Sequence, residues 1–121
     1  METNVQYQEP VQYAEVYISD MSDLKNIFLQ TLNTKEINQD FGVPFLLVKK
    51  ENKITSFASL IINEKEEIDF KIYDKKGIKE SEKNNFIRKA ECYFKKNNTP
   101  NFRNPKQLKS SINEMINWLN P

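Results

Sequence analysis

The chain has no histidine, a single cysteine, Cys92, and only two glycines, Gly42 and Gly77. Without histidine there is no Ser-His or Cys-His pair, no imidazole to hold a metal, and no side chain whose ordinary pKa lies near neutrality. A lone cysteine cannot close an internal disulfide, which suits a reducing compartment. No apolar run approaches the roughly 20 residues that span a bilayer. Met1 to Pro10 is polar and has neither the basic start nor the apolar core of an export signal. The expectation is a cytoplasmic protein. Scattered carboxylates without histidine or paired cysteine define no metal site, so none is expected.

What is present is the composition of a folded domain: 38% hydrophobic and 29% charged residues in 121, with eight Phe, five Tyr and one Trp. That length buries one core and not two. Residues 1–10, polar and ending in Pro10, read as a flexible leader, and residues 11–121 as a single domain. The net charge of +1 hides an asymmetry: Met1 to Pro44 carries seven acids against two lysines, whereas Lys71 to Lys109 carries twelve bases against four acids. A basic segment can hold a phosphorylated cofactor, a nucleic acid or an acidic partner, or can simply solvate helix faces. Nucleic acid is not expected, because Phe86 and Phe94 follow an apolar helical period and so are not free to stack bases.

Hydrophobic periodicity supplies the element order. Val11 to Ile18 alternates as a strand. Met21, Leu24, Ile27, Phe28, Thr31 and Leu32 recur at helical spacing after Asp20 or Ser22, either of which can cap the helix, which ends near Asn33. Thr34 to Gly42 reads as a short helix or loop. Three strand-like runs follow, Pro44 to Lys49, Ile54 to Asn63 and Glu67 to Tyr73, joined by the short polar connectors KENK and NEKEE, so antiparallel hairpins are the simplest pairing. Ser81 to Lys96 is an amphipathic helix, with Phe86, Ile87, Ala90, Tyr93 and Phe94 on one face. The stretch NFRNP reads as irregular, and Lys106 to Leu119 as a last amphipathic helix with Trp118 on its edge. The fold class is α+β, a mainly antiparallel sheet with a three-strand meander flanked by helices.

That order, with Asp74-Lys75-Lys76-Gly77-Ile78-Lys79 joining the last meander strand to a long helix, resembles the front two thirds of the GNAT-type N-acetyltransferase superfamily, from about Tyr13 to Asn97. The resemblance implies a turn whose amides hold the pyrophosphate of acetyl-CoA. A helix start offers unpaired amides and a positive dipole end, and glycine lets the backbone approach the phosphate. Gly77 falls on the first glycine of the family signature, Asp74 stands where Gln or Arg is usual, and Lys79 where a small residue is usual. On the resemblance, Lys75, Lys76, Gly77, Ile78 and Lys79 are the candidate cofactor-binding residues. The family's further strand, which splays from its neighbour to admit the pantetheine arm, has no counterpart after Thr99, so the domain reads as a reduced member.

Acetyl transfer to an amine needs a base for the ammonium proton and an acid for the leaving thiolate. Glu67 or Asp69, at the entry to the last meander strand, is the candidate base, and Tyr73 or Tyr93 the candidate acid, with Glu67 and Tyr73 preferred. Tyr93 shares the apolar face of its helix and reads as core, Cys92 reads as packing or bystander, and Trp118 is expected to pack on its own domain. Two functions follow from the same residues. One is a non-catalytic protein-interaction module without cofactor, binding a protein partner or a second copy. The other is a small CoA-dependent N-acetyltransferase acting on an amine. The signature, broken at Asp74 and Lys79, and the lack of a dedicated base favour the first. The two differ in what should stand beside the long helix: a splayed strand pair with free amides for the enzyme, or a filled groove and an exposed apolar patch for the module.

Overall fold

The computed structural model describes residues 11–120; the expected leader, residues 1–10, lies outside the described residues. Its elements in chain order are β1 (Val11–Glu15), α1 (Met21–Leu32), β2 (Val43–Lys50), β3 (Lys53–Ile62), β4 (Ile68–Asp74), α2 (Glu80–Lys96), α3 (Pro100–Arg103) and α4 (Pro105–Leu119). The four strands form one sheet in the order β1-β2-β3-β4, with every neighbouring pair antiparallel. The architecture is α+β, an antiparallel meander with helices on both faces.

The meander follows from its connectors. Glu51 and Asn52 both take positive φ in the β2–β3 turn, and Glu66 does so in the β3–β4 turn, where Asn63 Oδ1 accepts the N–H groups of Lys65 and Glu67. Asparagine tolerates such turns because its short amide caps the local backbone. Register then follows from which side chains can be buried. On one face Leu47, Phe57 and Tyr73 stand side by side across β2, β3 and β4, where they meet Phe28 of α1 and Phe41. On the other, Tyr13, Val48, Ala58 and Leu60 meet Phe86 and Ala90 of α2.

Bulges between Pro44 and Leu46 and between Val48 and Lys49 interrupt the β2–β3 ladder. The first places Phe45 and Leu46 together on the α2 face, where Phe45 stacks on Tyr93 at 5.6 Å. Gly42, at φ 65, precedes β2 where a Cβ would lie 2.0 Å from the Leu60 carbonyl oxygen, so no larger residue fits without moving β3.

Several boundaries differ from the sequence reading. β1 stops at Glu15 instead of Ile18, because Tyr17 donates its N–H to the Asp20 carboxylate and a 3₁₀ turn, Ile18–Asp20, leads into α1. Asp20 therefore makes no side-chain cap for α1, and Asn33 ends that helix in a left-handed conformation. The stretch read as irregular contains a helix, α3, since Pro100 can open a helix at its first turn. Asn104 then caps α4 by accepting from the N–H groups of Lys106 and Gln107.

The tail helix closes the end of the sheet. Leu108 and Ile112 join the α2-side core, and Met115, Ile116 and Leu119 pack against the α1-side core. Its end is tied down twice: Lys25 Nζ donates to the Leu119 carbonyl, and the Asn120 side chain exchanges hydrogen bonds with both backbone groups of Ile37. Trp118 nevertheless stays 52% exposed, contrary to expectation, because its neighbours Ile116 and Leu119 take the inward positions. Cys92 is exposed on α2, so it does not pack, and Ile87 is also outward. No described helix is long and apolar enough to cross a membrane.

Candidate functional site

β4 ends at Asp74, and Lys75 extends its ladder by one bond, donating its N–H to the Thr55 carbonyl at 2.9 Å. The chain then turns through Lys76 and Gly77, whose φ of 87 is the left-handed conformation that glycine adopts without strain. A Cβ on Gly77 would meet nothing within 4 Å, so the glycine is required by the turn and not by neighbouring protein atoms. Ile78 is half-buried, and Lys79 is the extended N-cap of α2, with no side-chain bond capping the helix start. The first turn of α2 carries Glu80 and Glu82. These already complement the helix dipole and oppose an incoming anion.

Lys75 and Lys76 share an open groove of about 890 Å³ with Ile72 and Asp74 of β4, Ile27, Gln30, Thr31 and Asn33 of the α1 end, and Lys83 of α2. The groove therefore straddles the outer edge of β4. Lys83 lies in the first turns of α2. It belongs to the groove because α2 starts beside the β4 edge, pinned over the sheet by the 3.1 Å Glu82–Lys50 ion pair. Asp74 also lies here, its carboxylate accepting a 2.6 Å hydrogen bond from Ser56 Oγ. That carboxylate sits among the lysines and lowers the attraction of the corner for phosphate.

The two candidate catalytic groups stand apart from this corner. Glu67 is exposed in the β3–β4 turn, its backbone paired with Asn63. At about 3.3 Å per residue, the length of β4 separates it from Lys75 by roughly 25 Å. Tyr73 is buried in the α1-side core, 5.2 Å from both the Phe28 and Phe57 rings, with its hydroxyl donating to the Asp40 carbonyl. Burial, with the charge of Asp40 adding to it, pushes its pKa well above the ordinary phenol value. Tyr93, half-buried on α2, donates its hydroxyl to Glu15, and burial together with that bond raises its pKa too.

The ladder also determines where the backbone of β4 points. Residues 55 and 75, and 63 and 67, are hydrogen-bonded across β3 and β4, and the register between them is continuous. Hydrogen-bonded pairs alternate along an antiparallel ladder, so Asp69, Lys71 and Tyr73 direct their N–H and C=O groups toward β3. Ile68, Phe70, Ile72 and Asp74 direct theirs outward, where β4 has no neighbouring strand among the described residues. Two of these outward groups are occupied from within the chain: the Phe70 N–H donates to Asp69 Oδ1 at 2.8 Å, and the Asp74 carbonyl accepts from Thr31 Oγ1 at 3.4 Å. On the α1 face of this edge Asp69 and Lys71 are exposed, with Lys71 Nζ 3.7 Å from Asp40. On the α2 face Phe70 packs against Phe94, at 5.4 Å, and Phe45.

The fold and this corner define a class, an α+β domain that pairs a four-stranded antiparallel meander with an open sheet edge bordered by lysines. No protein-family model, curated protein or solved structure matches the chain.

Proposed function

We propose that the chain is a non-catalytic protein-interaction module, with the plan of a reduced acetyltransferase-like domain, that uses the outer edge of β4 as its docking element and needs no cofactor. The observation that carries this reading is the edge itself: outward backbone groups at Ile68 and Ile72 with no strand beside them among the described residues. A strand edge of this kind is a template for pairing with an added chain. The candidate chemistry points the same way. A base at Glu67 stands at the far end of β4 from the glycine turn, and the proton of Tyr73 is held in the core by Asp40. Neither group is placed to serve a cofactor bound at Gly77.

A second reading, a small CoA-dependent N-acetyltransferase, is favoured by one specific observation: Gly77 turns in open space between Lys76 and an uncapped helix start. Titrating the chain with acetyl-CoA while following backbone amide shifts separates the two. The interaction reading expects no saturable shift at Gly77, Lys79 or the first turn of α2 at millimolar cofactor. Saturable shifts there, lost in Gly77→Trp, would overturn it.

A further inference from the structure

We infer that the partner of the β4 edge is a second copy of this chain, paired antiparallel through its own β4 about a two-fold axis at Phe70, an inference that rests on the interaction reading above. The backbone allows this register. Ile68, Phe70 and Ile72 all present their N–H and C=O groups outward. With Phe70 opposite Phe70, Ile68 of each copy lies opposite Ile72 of the other, and every outward-facing pair is a hydrogen-bonded one.

The side chains then agree on both faces. Successive residues of a strand alternate between faces, so Asp69 and Lys71 share the α1 face and Ile68, Phe70 and Ile72 share the α2 face. In the Phe70-centred register, Lys71 of each copy stands opposite Asp69 of the other, so the two-fold axis generates the same attractive pair twice. Across the α2 face Phe70 meets Phe70 and isoleucine meets isoleucine. Directly opposed residues of this kind, opposite charges and apolar partners, stabilise a pair of strands, and like charges oppose it.

Neighbouring registers fail on the same test. Shifting the axis to Lys71 sets that lysine against its own copy, and shifting it to Asp69 sets two carboxylates together. An axis at Ile72 places Phe70 opposite the Asp74 carboxylate, and one at Ile68 places Lys71 opposite Lys65 and Asp69 opposite Glu67. The Phe70 axis is therefore selected by charge and by burial at once.

Nothing polar is orphaned by the exchange. In the single chain Asp69 Oδ1 occupies the outward Phe70 N–H. On pairing, that N–H takes the Phe70 carbonyl of the second copy, and the released carboxylate meets Lys71 across the axis. Isologous pairing also closes on itself, consuming both β4 edges, so it yields a dimer and not a fibre.

The test is sedimentation equilibrium of the whole chain, with Lys71→Asp and Asp69→Lys made singly and together. Wild type should sediment at twice the 14.3 kDa chain mass. Each single variant sets like charges opposite each other and should weaken self-association on the order of tenfold or more. An equimolar mixture of the two single variants should restore the dimer, because each then meets its opposite charge, and so should the double variant. That recovery also shows that the variants are folded. A wild type that stays at the single-chain mass, or single variants that dimerise like wild type, overturns the inference. A monomer that still leaves acetyl-CoA shifts silent removes only the second copy as partner, whereas saturable cofactor binding at Gly77 removes the interaction reading itself.

Discussion

β3 and β4 lie side by side in one sheet, yet β3 is buried on both faces from Ser56 to Ile61, whereas β4 alternates between half-buried and exposed positions and is fully buried only at Tyr73. The sequences of the two strands differ accordingly: β3 carries no charge after Lys53 at its start, and β4 places one at both of its exposed positions, Asp69 and Lys71. Position in the sheet explains the contrast. β3 has a strand on each side and helices over both faces, so its backbone is paired along both edges and its apolar side chains are covered within the domain. Among the described residues β4 has one neighbouring strand, and its other edge must be satisfied by water, by its own side chains or by another chain. Burial in this sheet is therefore concentrated in β3, and its open edge lies at β4.

The largest expected effect lies on the β3 side. Phe57→Ala removes a ring packed at 5.2 Å from Tyr73 and 5.7 Å from Phe41, and should cost about 3–5 kcal/mol in urea unfolding. A loss under about 1 kcal/mol, in the range of an ordinary surface change, would break the contrast between the strands.

Tyr73 sharpens it, as the one fully buried side chain of β4. Tyr73→Phe leaves the Asp40 carbonyl without its partner and should cost roughly 1–2 kcal/mol at neutral pH. Its folded-state pKa is raised, so the folded chain keeps the phenol proton where the unfolded chain loses it. The stability this confers is fully present below about pH 10, the ordinary phenol value, and is lost as pH rises toward the folded pKa. Equilibrium unfolding at a series of alkaline pH values should show a shallower decline for Tyr73→Phe than for wild type. Equal slopes would mean that the hydroxyl is not held as described.

Smaller effects separate the two strands further. Lys71→Asp and Asp69→Lys, on the exposed face of β4, should each change thermal stability of the single chain by no more than about 0.5 kcal/mol; a larger loss would make these charges part of the fold and not of its edge. Ser59→Ala, in the centre of β3, should be neutral or slightly stabilising, because the Ser59 hydroxyl is fully buried with no hydrogen-bond partner among the described residues. A clear loss from Ser59→Ala would reveal an acceptor for that hydroxyl.

Much of this protein was determined by local sequence alone. The α+β class, the three-strand meander and the long helices α1, α2 and α4 follow from periodicity and from turn residues such as Asn63, because these are short-range properties of the chain. Gly77 could likewise be read as a turn, and its positive φ agrees. Tertiary structure decided the rest. Ile87 carries a helical position that periodicity assigns inward, and Trp118, on the edge of its helix, is expected to pack on the domain, yet both face outward, because which residues of a helix are covered depends on what packs against it. Lys83 joins Lys75 and Lys76 only because α2 begins beside the edge of β4, a relation between elements that no single stretch encodes. The separation of Glu67 from the glycine turn, the withdrawal of Tyr73 into the core and the exposure of the β4 edge have the same origin. Each depends on which strands are neighbours and which face a helix covers, and those are properties of the whole assembled sheet.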